Sequence, residues 1–277
     1  MEQLSGRTAV VIGGGSGIGR GIALALAEEG MNLVIADIER DTAEAVAEEA
    51  RKQNARALAV AADATKPDSL ERLAAEAYGE FGAVHLLSNN AGVVPTLGLL
   101  EDRSDDDWLW VMSVNLHGIV RCVQAFLPRI KAQGGEAHIQ NTASMAGITV
   151  SSVHGIGVYT ASKHACVGYT LSLRKELADA GIGVSVLCPG MVVSNLAATS
   201  ARNRPEDFGG PLREPGPTNS KLLAQMMSAE ECGKIVVRGI RENRAYIITH
   251  PSTLTQVEEQ HRELVADYES ERRAQKL

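Results

Sequence analysis

The residues best suited to chemistry gather between Ser144 and Lys163, SMAGITVSSVHGIGVYTASK, a stretch that closes on Tyr159-Thr160-Ala161-Ser162-Lys163. If those five residues open a helix, Tyr159 and Lys163 stand one turn apart on one face, about 6 Å apart at Cβ. A free phenol titrates at about 10 and is a poor base at neutral pH, but an adjacent ammonium favours the phenolate. The pair therefore suits proton exchange with an oxygen. Ser144, returning at a strand end, can offer its hydroxyl to the same oxygen. Taken alone, a Tyr and a Lys at this spacing more often make an ordinary helix face, so the surrounding elements must decide.

Those elements follow a βαβα pattern from the start. Thr8–Ile12 is a β-branched run, followed by Gly13-Gly14-Gly15-Ser16-Gly17-Ile18-Gly19 and an Ala/Leu-rich helix through Glu29. A strand feeding a glycine turn and then a helix N-terminus is a phosphate cradle, because bare backbone N–H groups and the helix dipole both favour an anion. The spacing is G-x-x-x-G-x-G rather than G-x-G-x-x-G, and the glycines alone also fit a plain strand-to-helix turn. Asp37 ends the second strand, Asn32–Ala36, about 20 residues on, where a carboxylate would bind an adenosine ribose diol.

Strands are expected at Ala57–Ala62, ending at Asp63, and at Val84–Ser88, running into Asn89-Asn90-Ala91-Gly92. Those small and amide side chains permit close approach of a flat ligand, or simply a turn. A long helix from Asp105 toward Lys131, capped by Ser104, carries Asn115 in its middle. Asn competes there for backbone hydrogen bonds, so Asn115 is either a local defect or a polar group placed for a partner. His138–Thr142 leads into Ser144, and a helix Tyr159–Ala180 follows. Val184–Leu187 runs into Cys188-Pro189-Gly190-Met191-Val192-Val193-Ser194, and Tyr246–Thr249 is the last strand. The expected fold is an α/β doubly wound parallel sheet of seven strands with any cofactor across their carboxyl ends.

The chain has 277 residues, enough for one sizeable core, with 44% hydrophobic but only 4% aromatic residues. A formal charge of −7 and a pI near 5.6 argue against nucleic-acid and anionic-membrane partners. No apolar run is long enough to span a bilayer, and the N-terminus lacks the features of a signal peptide. Cys122, Cys166, Cys188 and Cys232 are scattered without a CxxC, so neither a metal nor a disulfide is expected, and a cytoplasmic setting is. One domain spans 1–277, with a Pro-rich substrate lid over 195–227 and a charged helical tail over 252–277.

The glycine turn, Asp63, Asn89-Asn90-Ala91-Gly92, Asn115, Ser144, Tyr159-x-x-x-Lys163 and the Pro189-Gly190 segment occur in the order found in short-chain dehydrogenases/reductases. Over roughly residues 5–250 the chain resembles that family in its single-domain Rossmann form. The resemblance implies NAD(P)-dependent hydride transfer between nicotinamide and a secondary alcohol or ketone. Asn115, Ser144, Tyr159 and Lys163 would form its catalytic tetrad, with Asn115 placing a water behind Lys163. Gly13, Ser16, Gly17, Ile18 and Gly19 would cradle the pyrophosphate, and Asp37 and Ile38 the adenosine ribose. Asp63 and Ala64 would hold the adenine, and Asn90, Ala91 and Gly92 would lie beside a ribose. Tyr159 and Lys163 would also touch the cofactor, while Pro189, Gly190, Val192 and Ser194 would hold the carboxamide.

Three features depart from the family pattern: Ile12 replaces the usual Thr before the first glycine, Ser194 replaces a Thr, and the loop at Ile148–Ile156 is longer. NAD is expected over NADP, because Asp37 would repel a 2′-phosphate and Ile38 offers no cation to receive one, with Arg40 the only nearby exception. The substrate is expected to be bulky and apolar (aryl, terpenoid or steroid-like), facing Ser144, Met145, Val153, His154, Tyr159 and Val193, with Leu222, Leu223, Met226 and Met227 from the lid. The last four suit an oligomer interface equally well, and a homodimer or homotetramer is expected. Two alternatives are a reductase of a smaller polar carbonyl compound and an NAD-binding regulatory protein without turnover.

Overall fold

The structure is a computed structural model that describes residues 1–150, 155–216 and 219–275, with the side chain of Leu222 set aside. Val153 and His154, expected at the substrate, lie outside the described residues. The first half alternates strand and helix: β1 (Thr8–Ile12), α1 (Gly17–Glu28), β2 (Asn32–Asp37), α2 (Arg40–Lys52), β3 (Ala57–Ala61), α3 (Pro67–Phe81) and β4 (Leu86–Asn89). Then come α4 (Asp105–Met112), α5 (Ile119–Gln133), β5 (Ala137–Thr142), α6 (Gly157–Glu176) and β6 (Ile182–Cys188). The C-terminal part holds α7 (Leu196–Arg202), α8 (Ser220–Leu223), α9 (Ala229–Arg241), β7 (Tyr246–Ile248) and α10 (Leu254–Ala274).

All seven strands pair in parallel, in the order β3-β2-β1-β4-β5-β6-β7. Alternate residues of a strand feed opposite cores. Ala9 and Val11 of β1 join Leu33 and Ile35 of β2 under α1 and α9, whereas Val10 and Ile12 join Val34 and Ala36 on the face packed by α3 and α5. Burial on both faces is why these strands are runs of apolar residues rather than alternating ones. The strand order reverses between β1 and β4, which opens a crevice at their carboxyl ends.

One expected helix is interrupted. Between α4 and α5 the residues Ser113–Gly118 form a π-helical turn around Asn115. The Asn115 amide is fully buried and clasps the β4–α4 connection: Oδ1 accepts from Val93 N (2.8 Å), while Nδ2 donates to Val93 O (2.9 Å) and to Ser162 Oγ (3.0 Å). The extra backbone residue in the turn accommodates that side chain without ending the helix. Three contacts outside its own helix resolve the alternatives left by the sequence, in favour of a polar group placed for partners.

Candidate active site

The turn after β1 is shaped by close approach. A Cβ on Gly13 would sit 2.5 Å from Ala91 N, and Gly17 takes a positive φ of 49° with a Cβ position 2.9 Å from Ser194 Cβ. Only glycine satisfies both, so the backbone of the turn stays open to the crevice. Ser16 caps α1 without a side-chain hydrogen bond, which leaves the helix-start N–H groups for a ligand. Such a bare, electropositive cradle fits a pyrophosphate.

Beside it, Asp37 Oδ2 accepts from Gly15 N (2.9 Å) and Oδ1 from Glu39 N (3.1 Å). Burial pushes the Asp37 carboxyl above its ordinary value, against the pull of those two N–H groups. Asp63 Oδ1 accepts from the backbone N and hydroxyl of Thr65. Both carboxylates, with Ile38, Ala64, Asn90, Ala91 and Gly92, line a cavity of about 320 Å³ that runs to Tyr159 and Lys163. Gly13, Ser16, Gly17, Ile18, Gly19, Pro189 and Ser194 line it too.

Helix α6 opens at Gly157, so Tyr159 and Lys163 project from its first two turns. Lys163 is almost wholly buried, its Nζ donating to Thr142 O (3.0 Å) and lying 5.6 Å from the centre of the Tyr159 ring. A buried ammonium with a fixed carbonyl partner beside a phenol is an arrangement for holding and moving a proton. Ser144 lies half-buried just past β5 and caps the 3₁₀ turn Met145–Gly147, its Oγ accepting from Ala146 N (3.1 Å). Buried Asn115 has both ends of its amide engaged, with no side-chain N–H left to donate to a water.

Other expected contacts fall elsewhere. Met145 packs among Ile119, Cys166, Val186 and Cys188, and its Sδ accepts from Thr253 Oγ1 (3.5 Å), so it is part of the core and not of the cavity wall. Met227 is pinned by its backbone to the strand-like segment at Val192, with Met227 N donating to Met191 O and Val193 N to Met227 O. That pairing turns Met227 onto the α1 core and buries Val192 with it. Leu223 and Val193 are exposed, Met226 is half-buried, and none of the three lines the cavity. Gly190 is held at the end of β6 by its N–H to Thr249 Oγ1 (3.1 Å) and lies outside the cavity lining.

The cover over the crevice comes from an earlier part of the lid than the Leu222–Met227 stretch. Asn195, Leu196, Thr199, Ser200, Asn203, Pro205 and Phe208 line the crevice, and Phe208 packs with Val93, Trp110 and Val114 of the same lining. Arg204 fastens this cover to α4. It is nearly buried, its Nη1 donates to Asp107 Oδ1 (2.8 Å), its Nε donates to Phe208 O, and its guanidinium lies 5.1 Å from the centre of the Trp110 ring. On the other side Glu39 Oε1 accepts from Asn203 Nδ2 (2.9 Å) and Arg202 (3.0 Å). The Asn203 hydrogen bond, with Arg202, holds the Glu39 carboxyl below the usual range. Arg202 and Arg204 are thus committed to the protein rather than free to anchor an acidic substrate. Trp110, Phe208 and Glu39 carry no local motif, and their partners are distant in sequence. Among the described residues no cluster could hold a metal, and no helix is long and apolar enough to cross a membrane.

A glycine turn, the Asp37 carboxylate and the Tyr159–Lys163 pair thus line one crevice of a doubly wound sheet. The family model for short chain dehydrogenase matches residues 7–205, and the chain belongs to the short-chain dehydrogenase/reductase family. It is 35% identical over 197 residues to cyclohexanol dehydrogenase of Acinetobacter sp. strain SE19, covering 71% of this chain and 77% of that protein. It is 33% identical over 259 residues to 1-deoxy-11-beta-hydroxypentalenate dehydrogenase of Streptomyces exfoliatus, covering 93% and 88%. Among solved structures, a short-chain dehydrogenase/reductase from Burkholderia phymatum in complex with NAD superposes with a TM-score of 0.86 at 35% identity, over 96% of this chain and 97% of that one.

Proposed function

We propose that the chain is an NAD-dependent dehydrogenase or ketoreductase of bulky, mostly apolar secondary alcohols or ketones. The observation that carries the reading is the shared cavity: Tyr159 and Lys163 line the same crevice as the Gly13–Gly19 turn and Asp37. The cradle would hold the pyrophosphate, Asp37 the adenosine ribose, Asp63 and Ala64 the adenine, and the Asn90–Gly92 backbone and Lys163 the second ribose. When bound, nicotinamide supplies the hydride chemistry.

The chain's own groups handle the proton. Tyr159 takes the alcohol proton in oxidation and returns it in reduction. The Lys163 ammonium favours the negative charge that develops on the Tyr159 oxygen. Ser144 donates to the substrate oxygen and fixes its direction, and Asn115 holds the Val93 backbone against α6 so that this wall keeps its shape. Asp37 and Glu39 put two carboxylates at the end of β2, which favours a free ribose diol over a 2′-phosphate; the Arg202 guanidinium is already paired with Glu39.

The apolar cover of Trp110, Val93, Val114, Leu196 and Phe208 supports a large hydrophobic substrate. The named substrates of two relatives, a cyclic alcohol and a hydroxylated pentalenate, support the same class. Four buried, free cysteines accord with a reducing, cytoplasmic setting, and a homodimer or homotetramer is the assembly we expect. The reading is tested by assaying cyclic, aryl and terpenoid alcohols against short aliphatic alcohols, sugars and hydroxy acids with saturating NAD. The bulky set should have the higher kcat/KM, and Phe208→Ala should raise KM for that set alone. A preference for sugars or small hydroxy acids would refute it.

A further inference from the structure

The centre of a parallel sheet ordinarily carries apolar side chains on both faces. Here Ser88 of β4 and Gln140 of β5 face each other in register, both fully buried. With Thr142 and Asn90 they close a ring of hydrogen bonds. Asn90 Nδ2 donates to Ser88 Oγ (2.9 Å), Ser88 Oγ to Gln140 Oε1 (2.5 Å), Gln140 Nε2 to Thr142 Oγ1 (3.0 Å), and Thr142 Oγ1 back to Asn90 Oδ1. Asn90 Nδ2 also reaches Ser88 O (3.3 Å), an acceptor only, and this fixes the direction in which the ring runs.

Both ends of the ring reach the crevice. Asn90 begins the Asn90-Ala91-Gly92 segment that lines it. With its amide nitrogen spent on Ser88, Asn90 has no side-chain donor left for a ligand and can donate to one only through its backbone. Thr142 offers its carbonyl to Lys163 Nζ (3.0 Å). The two are contiguous, because a Cβ on Gly92 would lie 3.4 Å from Lys163 Nζ. Ile12 has no hydroxyl to steady this segment and contributes only its carbonyl, which accepts from Asn90 N (2.8 Å).

We propose that Gln140 is a positioning residue: through the ring it fixes Asn90 and Thr142, and through them the ribose-side backbone and the Lys163 ammonium. The inference rests on the dinucleotide reading given above. Stability alone does not require the ring, since replacing both members of a buried polar pair with apolar groups of similar total volume is nearly neutral. In Ser88→Ala/Gln140→Val, which conserves the total volume, Thr142 Oγ1 keeps Asn90 Oδ1 and Asn90 Nδ2 keeps Ser88 O, so the core stays satisfied while the brace that Gln140 gives to both residues is gone.

The test measures NADH binding by fluorescence, and Tm, in Gln140→Val, in the double variant and in Leu73→Ala, a core truncation on α3 remote from the crevice. Gln140→Val leaves the buried Ser88 O–H without its acceptor and should lower Tm and weaken NADH binding about three- to tenfold, the effect of one ordering hydrogen bond. The double variant should regain most of the Tm and keep the weakened binding, whereas Leu73→Ala should lose Tm and bind NADH normally. Affinity that returns with Tm in the double variant, that is unchanged in both ring variants, or that falls equally in Leu73→Ala overturns the proposal. A wild-type chain that binds no dinucleotide would instead bring down the functional reading itself.

Discussion

The role proposed for Asp37 opposes its burial. As the proposed ribose ligand it would have to be charged, yet burial raises its carboxyl above the ordinary value in the folded chain. Between the unfolded and folded values the folded chain holds a proton that the unfolded chain has released, so stability falls as pH rises through that window. At neutral pH the buried carboxylate therefore costs stability. Asp37→Asn keeps an acceptor for Gly15 N and removes the charge. Without cofactor its Tm at pH 7 should exceed that of the wild type, with the gain shrinking as pH falls through the raised folded value toward the ordinary carboxylate range. The same substitution should narrow the ratio of kcat/KM for NAD over NADP. A lower Tm at pH 7, or an unchanged ratio, would contradict this account of Asp37. Asp37 was legible because its place follows from local order: strand, glycine turn, helix, strand. Glu39, two residues on, was not, because its role depends on Arg202 and Asn203 across the crevice.

At the scale of elements, the seven strands and the main helices followed from β-branched runs, glycine stops and helix caps. Ser228, for example, accepts from Glu231 N (3.0 Å) at the start of α9, as its spacing with Glu231 implies. The sequence marked Asn115 as an anomaly but did not reveal the π turn, since its partners Val93 and Ser162 meet it only in the folded chain. The turn yields a prediction. Asn115→Ala leaves the half-buried Val93 N–H and C=O without their partner, a loss of about 1–3 kcal/mol. Tm should fall by several degrees, at about 2–4 °C per kcal/mol for a chain somewhat smaller than this one. Differential scanning calorimetry checks it; an unchanged Tm would mean that the clasp contributes nothing to the fold.

At the scale of the molecule, the order of motifs established the architecture, but the lid was legible only as a region. Its Met-rich stretch suggested a substrate cover, whereas the crevice is covered by 195–208, and Met227 is drawn onto the core by its pairing at Val192. The fastening of that cover, Arg204 to Asp107 and Trp110, joins residues nearly 100 positions apart, and no local pattern encodes it. Arg204→Met keeps much of the side chain's volume but loses the charged hydrogen bonds. It should raise KM for a bulky alcohol about tenfold, the effect of one hydrogen bond to a charged group. NADH affinity, governed from the Glu39 side, should be nearly unaltered. A fall in NADH affinity equal to the rise in KM would show instead that the lid moves as one body.

The central claim is that Tyr159 is the proton donor and acceptor of a dinucleotide-dependent alcohol dehydrogenase, and Tyr159→Phe tests it most directly. The substitution removes one hydroxyl from a half-buried ring and leaves Lys163 on Thr142. With the best alcohol from the substrate panel and saturating NAD, the variant should keep wild-type Tm and NADH affinity. Its turnover should fall by about 10²–10⁴, the usual contribution of general acid–base catalysis. Turnover near the wild-type rate, with binding intact, would contradict the account.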